Sequence, residues 1–216
     1  MSIHKSYAVL GLGRYGKAVA TELVNNGAEV LAVDMDEDIV NAAIADIPYC
    51  KCADVTEADV IRQLGIANID VVIVGMANNL EASVMAIMLC KEVGVKNIIA
   101  KCSSEMHRKI LLKVGADKVV FPENESGIRL AKNLLSSGFV DLIELSEDVS
   151  MVELDVKPEW QGRTILQVDF RRKYGINIVA IRSGEDVCIN VNPDMKLEKS
   201  MKLIVIANTD RLERLK

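Results

Sequence analysis

The stretch Gly11-Leu12-Gly13-Arg14-Tyr15-Gly16 decides the fold class of this chain. An apolar segment predicted as a strand precedes it, helical spacing follows it, and a second apolar strand ends in Asp34. This order of strand, glycine turn, helix and acidic strand end is the fingerprint of a nucleotide-binding βαβ unit. Gly11 permits the tight turn, Gly13 lets the backbone approach a phosphate, and Gly16 lets the helix pack close to its strand. The free N–H groups at the start of the helix can bind phosphates, and Asp34 is placed to accept hydrogen bonds from ribose hydroxyls.

Strand and helix patterns alternate through the first part of the chain, joined by short connections. The predicted strands lie at residues 7–10, 29–33, 49–52, 70–75, 97–101 and 118–121. The predicted helices between them lie at residues 17–26, 36–45, 56–64, 80–93 and 105–114, and Thr56 is the expected cap of the third. This alternation predicts an α/β fold, a Rossmann-like doubly wound parallel sheet with strand order 3-2-1-4-5-6. The ligand crevice should then lie at the carboxyl ends of strands one and four.

The character of the sequence changes after residue 121. Two helical segments (125–137 and 139–143) precede a strand (150–156), a helix (164–172), a hairpin (176–182 with 187–191), a last strand (201–207) and a terminal helix (210–215). This pattern predicts a small α+β lobe. We therefore divide the chain into a nucleotide-binding domain, residues 1–138, and a ligand-sensing and dimerisation lobe, residues 139–216.

Composition excludes several classes of protein. Half of the 216 residues are hydrophobic and 26% are charged, so a sizeable core can be buried. The net charge of −5 argues against a nucleic-acid binder, and no apolar run approaches the about 20 residues that cross a bilayer. The N-terminus has no signal-peptide pattern, and five cysteines without C-x-x-C spacing favour neither a disulfide framework nor a zinc site. We expect a soluble cytoplasmic protein.

The identity of the nucleotide depends on Arg14, which lies inside the glycine loop. A guanidinium beside the expected phosphate position favours a ligand with extra phosphate charge, such as ATP, over NAD. The alternative is that Arg14 faces solvent or touches the pyrophosphate of NAD. Asp34 argues against NADP, because its carboxylate would repel a 2′-phosphate.

Other residues are expected along the crevice. Asp54, just past strand three, could reach the adenine or its ribose, or could cap a helix. Gly75 ends strand four at the point where the strand order reverses, and Lys101 ends strand five on the ligand side. Asn78 and Asn79 are expected to form a turn.

Catalytic candidates are scarce. The two histidines, His4 and His107, lie away from the crevice, and no nucleophile–base pair or paired-carboxylate spacing occurs. The second lobe is small for a substrate domain, which favours a sensor over an enzyme. The alternatives are an NAD(H)-binding redox sensor or a small NAD-dependent oxidoreductase. A transcriptional repressor is disfavoured, because no helix-turn-helix with a basic recognition helix occurs.

Several motifs in their order resemble one family. They are the glycine motif at 11–16, Val33-Asp34, residues 53–57 (Ala-Asp-Val-Thr-Glu), 115–117 (Gly-Ala-Asp), 121–123 (Phe-Pro-Glu) and the second-lobe segment 171–181. Together they resemble the RCK (regulator of conductance of potassium) family, and are most similar to the cytosolic gating subunit of bacterial Ktr/Trk-type potassium uptake systems. Tyr15 replaces the phenylalanine that this motif often contains, which should matter little.

The resemblance implies a homodimer that assembles into an octameric ring beneath a membrane potassium channel subunit, peripheral to the inner face of the cell membrane. It implies that ATP, exchanged with ADP, binds the first lobe and gates the partner. Arg14 matches the arginine that reaches the terminal phosphate, including across the dimer interface, and Asp34 matches the ribose acid. Glu123 matches a glutamate that in some members binds a divalent cation, Mg or Ca, at the dimer interface. The sequence pattern alone favours an ordinary acid at the start of a helix, so the cation-binding role of Glu123 rests mainly on the resemblance.

The resemblance also implies a second ligand. In part of the family the second lobe binds cyclic di-AMP between two subunits, which shuts uptake down. The matching positions are Arg171, Asn177, Ile178, Ile165, Leu166 and Pro193. Arg171 could bind a phosphate, Asn177 an adenine edge, and the aliphatic side chains the faces of the bases. The alternative is that Ile178 and Leu166 are core and that Arg171 is on the surface. An anionic ligand would also account for the excess of basic residues from residue 157 onward.

Overall fold

A computed structural model of the chain describes residues 5–135, 139–146 and 148–213. Contacts within the chain separate two units, Met1–Asn124 and Glu125–Lys216. The helix at Pro122–Leu135 begins in the first unit and ends in the second. The domain boundary at residue 138 stays a prediction.

Six parallel strands form the sheet of the first unit. They are β1 (Ser6–Leu10), β2 (Glu29–Asp34), β3 (Cys50–Cys52), β4 (Val71–Val74), β5 (Asn97–Lys101) and β6 (Lys118–Val120). Their order is β3-β2-β1-β4-β5-β6, so the predicted strand order and doubly wound fold are confirmed. All four residues of β4 are buried, as expected for a central strand covered on both faces.

Helices cover the two faces of this sheet. They are α1 (Arg14–Asn25), α2 (Glu37–Ala43), α3 (Ala58–Gln63), α4 (Leu80–Glu92) and α5 (Glu105–Val114); a further helix, α6 (Pro122–Leu135), follows β6 along the chain. Two aliphatic core clusters pack the helices against the sheet, one centred on residues such as Leu10, Val72 and Ile98, the other on residues such as Val9, Val30 and Ala32. Alternate residues of β1 enter opposite clusters, because successive side chains of a strand point to opposite faces.

Side chains at the helix starts fix where several helices begin. Asn79 accepts a hydrogen bond from Ala82 N–H at the start of α4, and Ser104 accepts one from His107 N–H at the start of α5. The prediction that Thr56 caps α3 is wrong. Glu57 occupies the cap position without a side-chain bond, because both the amide and the hydroxyl of Thr56 donate to Asp54 instead.

The second unit contains an antiparallel sheet. Its strands are β7 (Phe139–Glu144), β8 (Val149–Asp155), β9 (Ile176–Ser183), β10 (Asp186–Cys188) and β11 (Met201–Asn208), in the order β10-β9-β11-β8-β7. Three short helices accompany it, α7 (Ile165–Val168), α8 (Phe170–Tyr174) and α9 (Thr209–Glu213). The predicted α+β class of this lobe is confirmed.

Two helix predictions in this unit are wrong. Residues 139–143 form part of strand β7, because pairing with β8 outweighs their local helical pattern. Residues 164–172 do not form one helix, since Asp169 adopts a left-handed conformation (φ 57°, ψ 56°) that separates α7 from α8. The predicted helical residues 136, 137, 214 and 215 lie outside the described ranges.

Aromatic packing anchors the core of the second unit. Trp160 is fully buried, and its ring meets those of Phe170 and Tyr174 edge-on, with centroids 4.9 and 5.4 Å away. Its indole N–H donates to the Tyr174 hydroxyl at 3.1 Å, which satisfies the polar atom of a buried side chain. Among the described residues, no helix combines the length and apolar character needed to cross a membrane.

Candidate functional site

The glycine turn between β1 and α1 is built as the sequence predicts. Gly11 has a φ of +95°, and a Cβ there would lie 2.6 Å from Cγ of Met76. A Cβ on Gly16 would overlap the carbonyl oxygen of Gly11, so only glycine lets α1 start this close to β1. A Cβ on Gly13 would meet no atom within 4 Å, because this residue faces the open crevice. The turn therefore exposes backbone at Gly13 where a ligand can approach.

Asp34, at the end of β2, stabilises the glycine turn through its carboxylate. Its Oδ2 accepts a hydrogen bond from Leu12 N–H at 2.6 Å, and its Oδ1 accepts one from Asp36 N–H at 3.0 Å. Each carboxylate oxygen can accept a second bond, so both contacts leave capacity for ribose hydroxyls. The bond to Leu12 was not predicted, since no sequence spacing specifies which amide the carboxylate meets.

A cavity of about 480 Å³ lies over the turn, and we call it the cationic cavity because Arg14 and Lys101 enter it. The residues that line it are Gly11, Gly13, Arg14, Tyr15, Asp34, Ile39, Gly75, Met76, Ala77, Asn78, Asn79, Lys101 and Glu123. The predicted crevice residues that meet here are therefore Gly11, Gly13, Arg14, Tyr15, Asp34, Gly75, Lys101 and Glu123. Gly16 does not line the cavity and acts through helix packing.

The two cations of this cavity differ in their surroundings. Arg14 is exposed and has no ion-pair partner among the described residues. Lys101 is only 16% exposed, and its Nζ lies 2.6 Å from Oε1 of Glu123 and 5.7 Å from the centroid of the Tyr15 ring. The hydrogen bond from Lys101 lowers the pKa of the Glu123 carboxyl, so this ion pair is formed at neutral pH.

A second cavity of about 480 Å³ joins the first, and we call it the acidic cavity. Its lining shares Gly11, Asp34, Met76 and Asn79 with the cationic cavity. The rest of its lining is Val33, Met35, Ala53, Asp54, Val55, Thr56, Glu57, Glu81, Ala82 and Met85. Four carboxylates and no basic side chain line it, which disfavours a 2′-phosphate there.

Asp54 lines the acidic cavity, as expected if it contacts the adenine or its ribose. Its Oδ1 accepts bonds from the amide (2.9 Å) and hydroxyl (2.7 Å) of Thr56, and these bonds lower its pKa. It does not cap α3, since the bonded partner precedes that helix.

Sequence reasoning missed several lining residues. Ile39, Ala77 and Asn78 line the cationic cavity, and Asn79 caps α4 while lining both cavities. Ile39 lies in the first turn of α2, and the other three lie in the loop between β4 and α4. A sequence pattern predicts such a helix or turn but not which of its side chains line a cavity. His107 is buried in α5 and contacts Ser103. It lines neither cavity.

The second unit has its own cavity, of about 440 Å³, which we call the lobe cavity. All six predicted residues of this lobe line it, together with Asp169, Phe170, Ile176 and Val191: they are Ile165, Leu166, Arg171, Asn177, Ile178 and Pro193. Arg171 is exposed, as the alternative predicts, but it also borders this cavity.

Two contacts shape the lobe cavity. Arg171 Nε donates a hydrogen bond to Oδ1 of Asn177 at 2.8 Å, which points the Asn177 amide N–H groups away from Arg171. The Leu166 amide donates to the Pro193 carbonyl at 2.9 Å and joins α7 to the loop before β11. Asp169, whose left-handed conformation no sequence pattern predicts, separates α7 from α8 at this cavity.

No group of three or more histidine, cysteine, aspartate or glutamate side chains able to hold a metal ion occurs in the described parts of the chain. Glu123 therefore offers only its own carboxylate, and one of the two oxygens already accepts a hydrogen bond from Lys101. A cation there would need further oxygen ligands from elsewhere.

Comparison with known proteins identifies the family. A family model described as the TrkA-N domain matches residues 7–122, and one described as the TrkA-C domain matches residues 149–216. The chain is 39% identical to Ktr system potassium uptake protein C of Bacillus subtilis, over 97% of this chain and 95% of that protein. It is 34% identical to Ktr system potassium uptake protein A of the same organism, over 98% of this chain and 95% of that protein.

Solved structures agree with this assignment at the level of the fold. The GsuK RCK domain matches with a TM-score of 0.54 and 24% identity, over 99% of this chain and 46% of that chain. The chain is a two-unit protein of RCK fold and belongs to the TrkA-N/TrkA-C family. Within that family, two of the relatives that it matches over nearly their whole length are Ktr system potassium uptake proteins.

Proposed function

We propose that the chain is a nucleotide-sensing regulatory subunit of a potassium uptake system. The observation that carries this proposal is the glycine turn beneath two joined cavities, one entered by Arg14 and Lys101 and the other lined by carboxylates without a basic side chain. The family membership supports the potassium uptake role, because the relatives similar over their full length carry that name.

The charges of the two cavities suggest how an adenine nucleotide lies. The nucleoside fits the acidic cavity, where Asp34 and Asp54 can accept hydrogen bonds from ribose hydroxyls or an adenine amine. The phosphates fit the cationic cavity, where the start of α1 supplies N–H groups and Arg14 and Lys101 supply positive charge. ATP and ADP share this site and differ by one phosphate near Arg14. NAD(H) is the less favoured ligand in this proposal, because its second nucleoside would gain nothing from the positive charges of Arg14 and Lys101.

The nucleotide acts as a signal in this proposal, and the protein does no chemistry on it. The described residues that line the two cavities include no histidine and no cysteine. The carboxylates of Glu123, Asp54 and Asp34 accept hydrogen bonds from Lys101, Thr56 and a backbone amide, respectively. A ligand shifts a conformational equilibrium only when it binds the two conformations with different affinity. The terminal phosphate of ATP supplies such a difference through charge-assisted bonds.

Assembly and partners follow from the same family. We propose a homodimer that builds an octameric ring on the cytoplasmic side of a membrane potassium channel subunit. Arg14 then reaches the terminal phosphate, within one subunit or across the dimer interface. Glu123 binds a divalent cation, Mg or Ca, with nucleotide phosphates as further ligands, since the described residues offer no other complete set.

We also propose that the lobe cavity binds cyclic di-AMP between two subunits. Arg171 supplies a cation for a phosphate, and Asn177 supplies amide N–H groups for a base edge. Ile165, Leu166, Ile178 and Pro193 supply apolar surface for the base faces. The excess of basic residues in this part of the chain favours an anionic ligand.

Calorimetric titration of the purified protein with ATP, ADP, NAD and NADH tests the nucleotide proposal. We expect ATP and ADP to bind, and Arg14→Ala to reduce the ATP preference over ADP by about tenfold, the size of one charge-assisted bond. Arg108→Ala, which removes an exposed arginine from α5, is the matched control. Equal ATP preference in Arg14→Ala and wild type would contradict the role of Arg14, and tight NADH binding without ATP binding would favour the redox sensor.

A further inference from the structure

An ion pair occupies the phosphate side of the cationic cavity. Lys101, the last residue of β5, is 16% exposed, whereas its partner Glu123, in the first turn of α6, is 63% exposed. The Nζ atom lies 2.6 Å from Oε1 of Glu123 and above the ring of Tyr15. The lysine is therefore held inside the cavity by neighbours, while the carboxylate approaches it from the solvent side.

A ligand phosphate in this cavity has to compete with that carboxylate. Lysine is a compact point charge, and its strongest bonds are to anions. Glu123 occupies the lysine at the distance of a strong charge-assisted bond. A phosphate that approaches Lys101 must share this cation with Glu123 or displace it. Displacement is the easier course, because Glu123 is the more exposed partner and can be hydrated once released.

We propose that Glu123 and the ligand phosphates exchange for Lys101, so that Glu123 sets the phosphate affinity of the site and is released when phosphate binds. This inference rests on the proposed function, since it assumes that an adenine nucleotide enters the cavity. It makes Glu123 a brake on phosphate binding in the absence of a divalent cation. It also connects the cavity to α6, because the carboxylate that moves belongs to the first turn of that helix.

A double-mutant cycle tests the exchange. Affinities for ATP, ADP and adenosine are measured by calorimetry in EDTA for wild type, Glu123→Gln, Lys101→Met and the double variant. We expect Glu123→Gln to bind ATP about fivefold tighter than wild type, since one net hydrogen bond to a charged group no longer competes. We expect Lys101→Met to bind ATP more weakly, and Glu123→Gln to have no effect in the Lys101→Met background.

Adenosine and a control variant separate the possible causes. Adenosine lacks phosphates, so its affinity should agree within about twofold in all four proteins, which also shows that each variant is folded. Asp59→Asn removes one exposed carboxylate from α3, outside both cavities, and should leave ATP affinity unchanged.

Two results would overturn the exchange while leaving the proposed function standing. The first is that wild type binds ATP in EDTA and that Glu123→Gln binds it equally well or more weakly. The second is an equal gain from Glu123→Gln with and without Lys101, which would mean simple charge repulsion. A wild type that binds neither ATP, ADP nor adenosine would instead refute the proposed function, and the exchange with it.

Discussion

At the scale of single residues, the two glycines of α1 and α6 show how differently one residue type is used. Gly16 packs against the backbone of Gly11, where a Cβ would overlap the carbonyl oxygen. Gly127 lies in α6 with no atom within 4 Å of a Cβ position. Both are helical, so alanine is the better helix former at either position, and the two positions differ above all in packing.

We therefore expect opposite effects on stability. Gly16→Ala should lower the free energy of unfolding by about 2–3 kcal/mol, because the helix must move away from β1. Gly127→Ala should raise it by about 0.5–1 kcal/mol, because alanine is the better helix former. Urea denaturation followed by circular dichroism measures both values. A Gly16→Ala protein as stable as Gly127→Ala would contradict the close approach at the glycine turn.

The site residues could be predicted where chemistry follows from chain position. Gly11, Gly13 and Asp34 lie at the turn and strand end that define the fold, so the motif alone specifies them. The Lys101–Glu123 pair could not be predicted as a pair, since its members come from different strand–helix units and meet only once β5 and β6 lie side by side. Asp169 could not be predicted either, because a left-handed aspartate has no pattern of its own in the sequence.

At the scale of elements, the sheet of the first unit carries a pH-dependent contact near its edge. Asp117, just before β6, accepts bonds from Lys91 Nζ at 2.9 Å and from the Ile98 amide at 2.7 Å. Burial raises the pKa of this carboxyl, but the bonds from Lys91 and Ile98 outweigh it and hold the pKa below its ordinary 3.8. The ion pair between Lys91 of α4 and Asp117 at the start of β6 therefore forms only while Asp117 is ionised.

A lowered pKa fixes the sign of the pH dependence. The stability that Asp117 contributes is fully present above pH 3.8 and is lost as the pH falls through the lower pKa of the folded state. Asp117→Asn should therefore flatten the fall in unfolding free energy below about pH 4, by less than about 1 kcal/mol because the side chain is 44% exposed. Urea denaturation at a series of pH values measures it, with Asp59→Asn as control. This account would be contradicted if the unfolding free energy of Asp117→Asn and of wild type fell equally steeply below about pH 4.

The elements themselves could be predicted where local and tertiary preferences agree. The strands and helices of the doubly wound sheet have apolar periodicity that matches their buried faces, so β5 and α5 were predicted to the residue. The sequence of β7 predicts a helix because a six-residue segment is too short to show a decisive period, and its pairing with β8 selects the strand. The split of α7 from α8 depends on one backbone conformation, which periodicity does not report.

At the scale of the whole molecule, the two units have separate cavities built from separate residues. The cationic and acidic cavities are lined only by the first unit, and the lobe cavity only by the second. The direct contacts of one ligand should therefore be independent of those of the other, and any coupling between them must pass through conformational equilibria.

A matrix of two variants and two ligands tests this separation. Arg14→Ala should weaken ATP binding and leave the affinity for cyclic di-AMP within about threefold of wild type. Arg171→Ala should weaken cyclic di-AMP binding at least tenfold and leave ATP within the same limit. Calorimetry on the full-length protein gives all four values, and Arg172→Ala, an exposed neighbour outside the lobe cavity, is the control for Arg171. Loss of both ligands from either variant would show that the two cavities are not separate sites.

In the proposed exchange, the release of Glu123 at the first turn of α6 would have a longer-range effect if it tilted the helix. Its 14 residues span about 21 Å at the rise of an α-helix. If the departure of the glutamate tilts the start of this rod by about 5°, the opposite end sweeps through about 2 Å, by the same geometry. The loss of a single bond at the start of α6 would then displace the opposite end of the helix by more than it displaces the first turn.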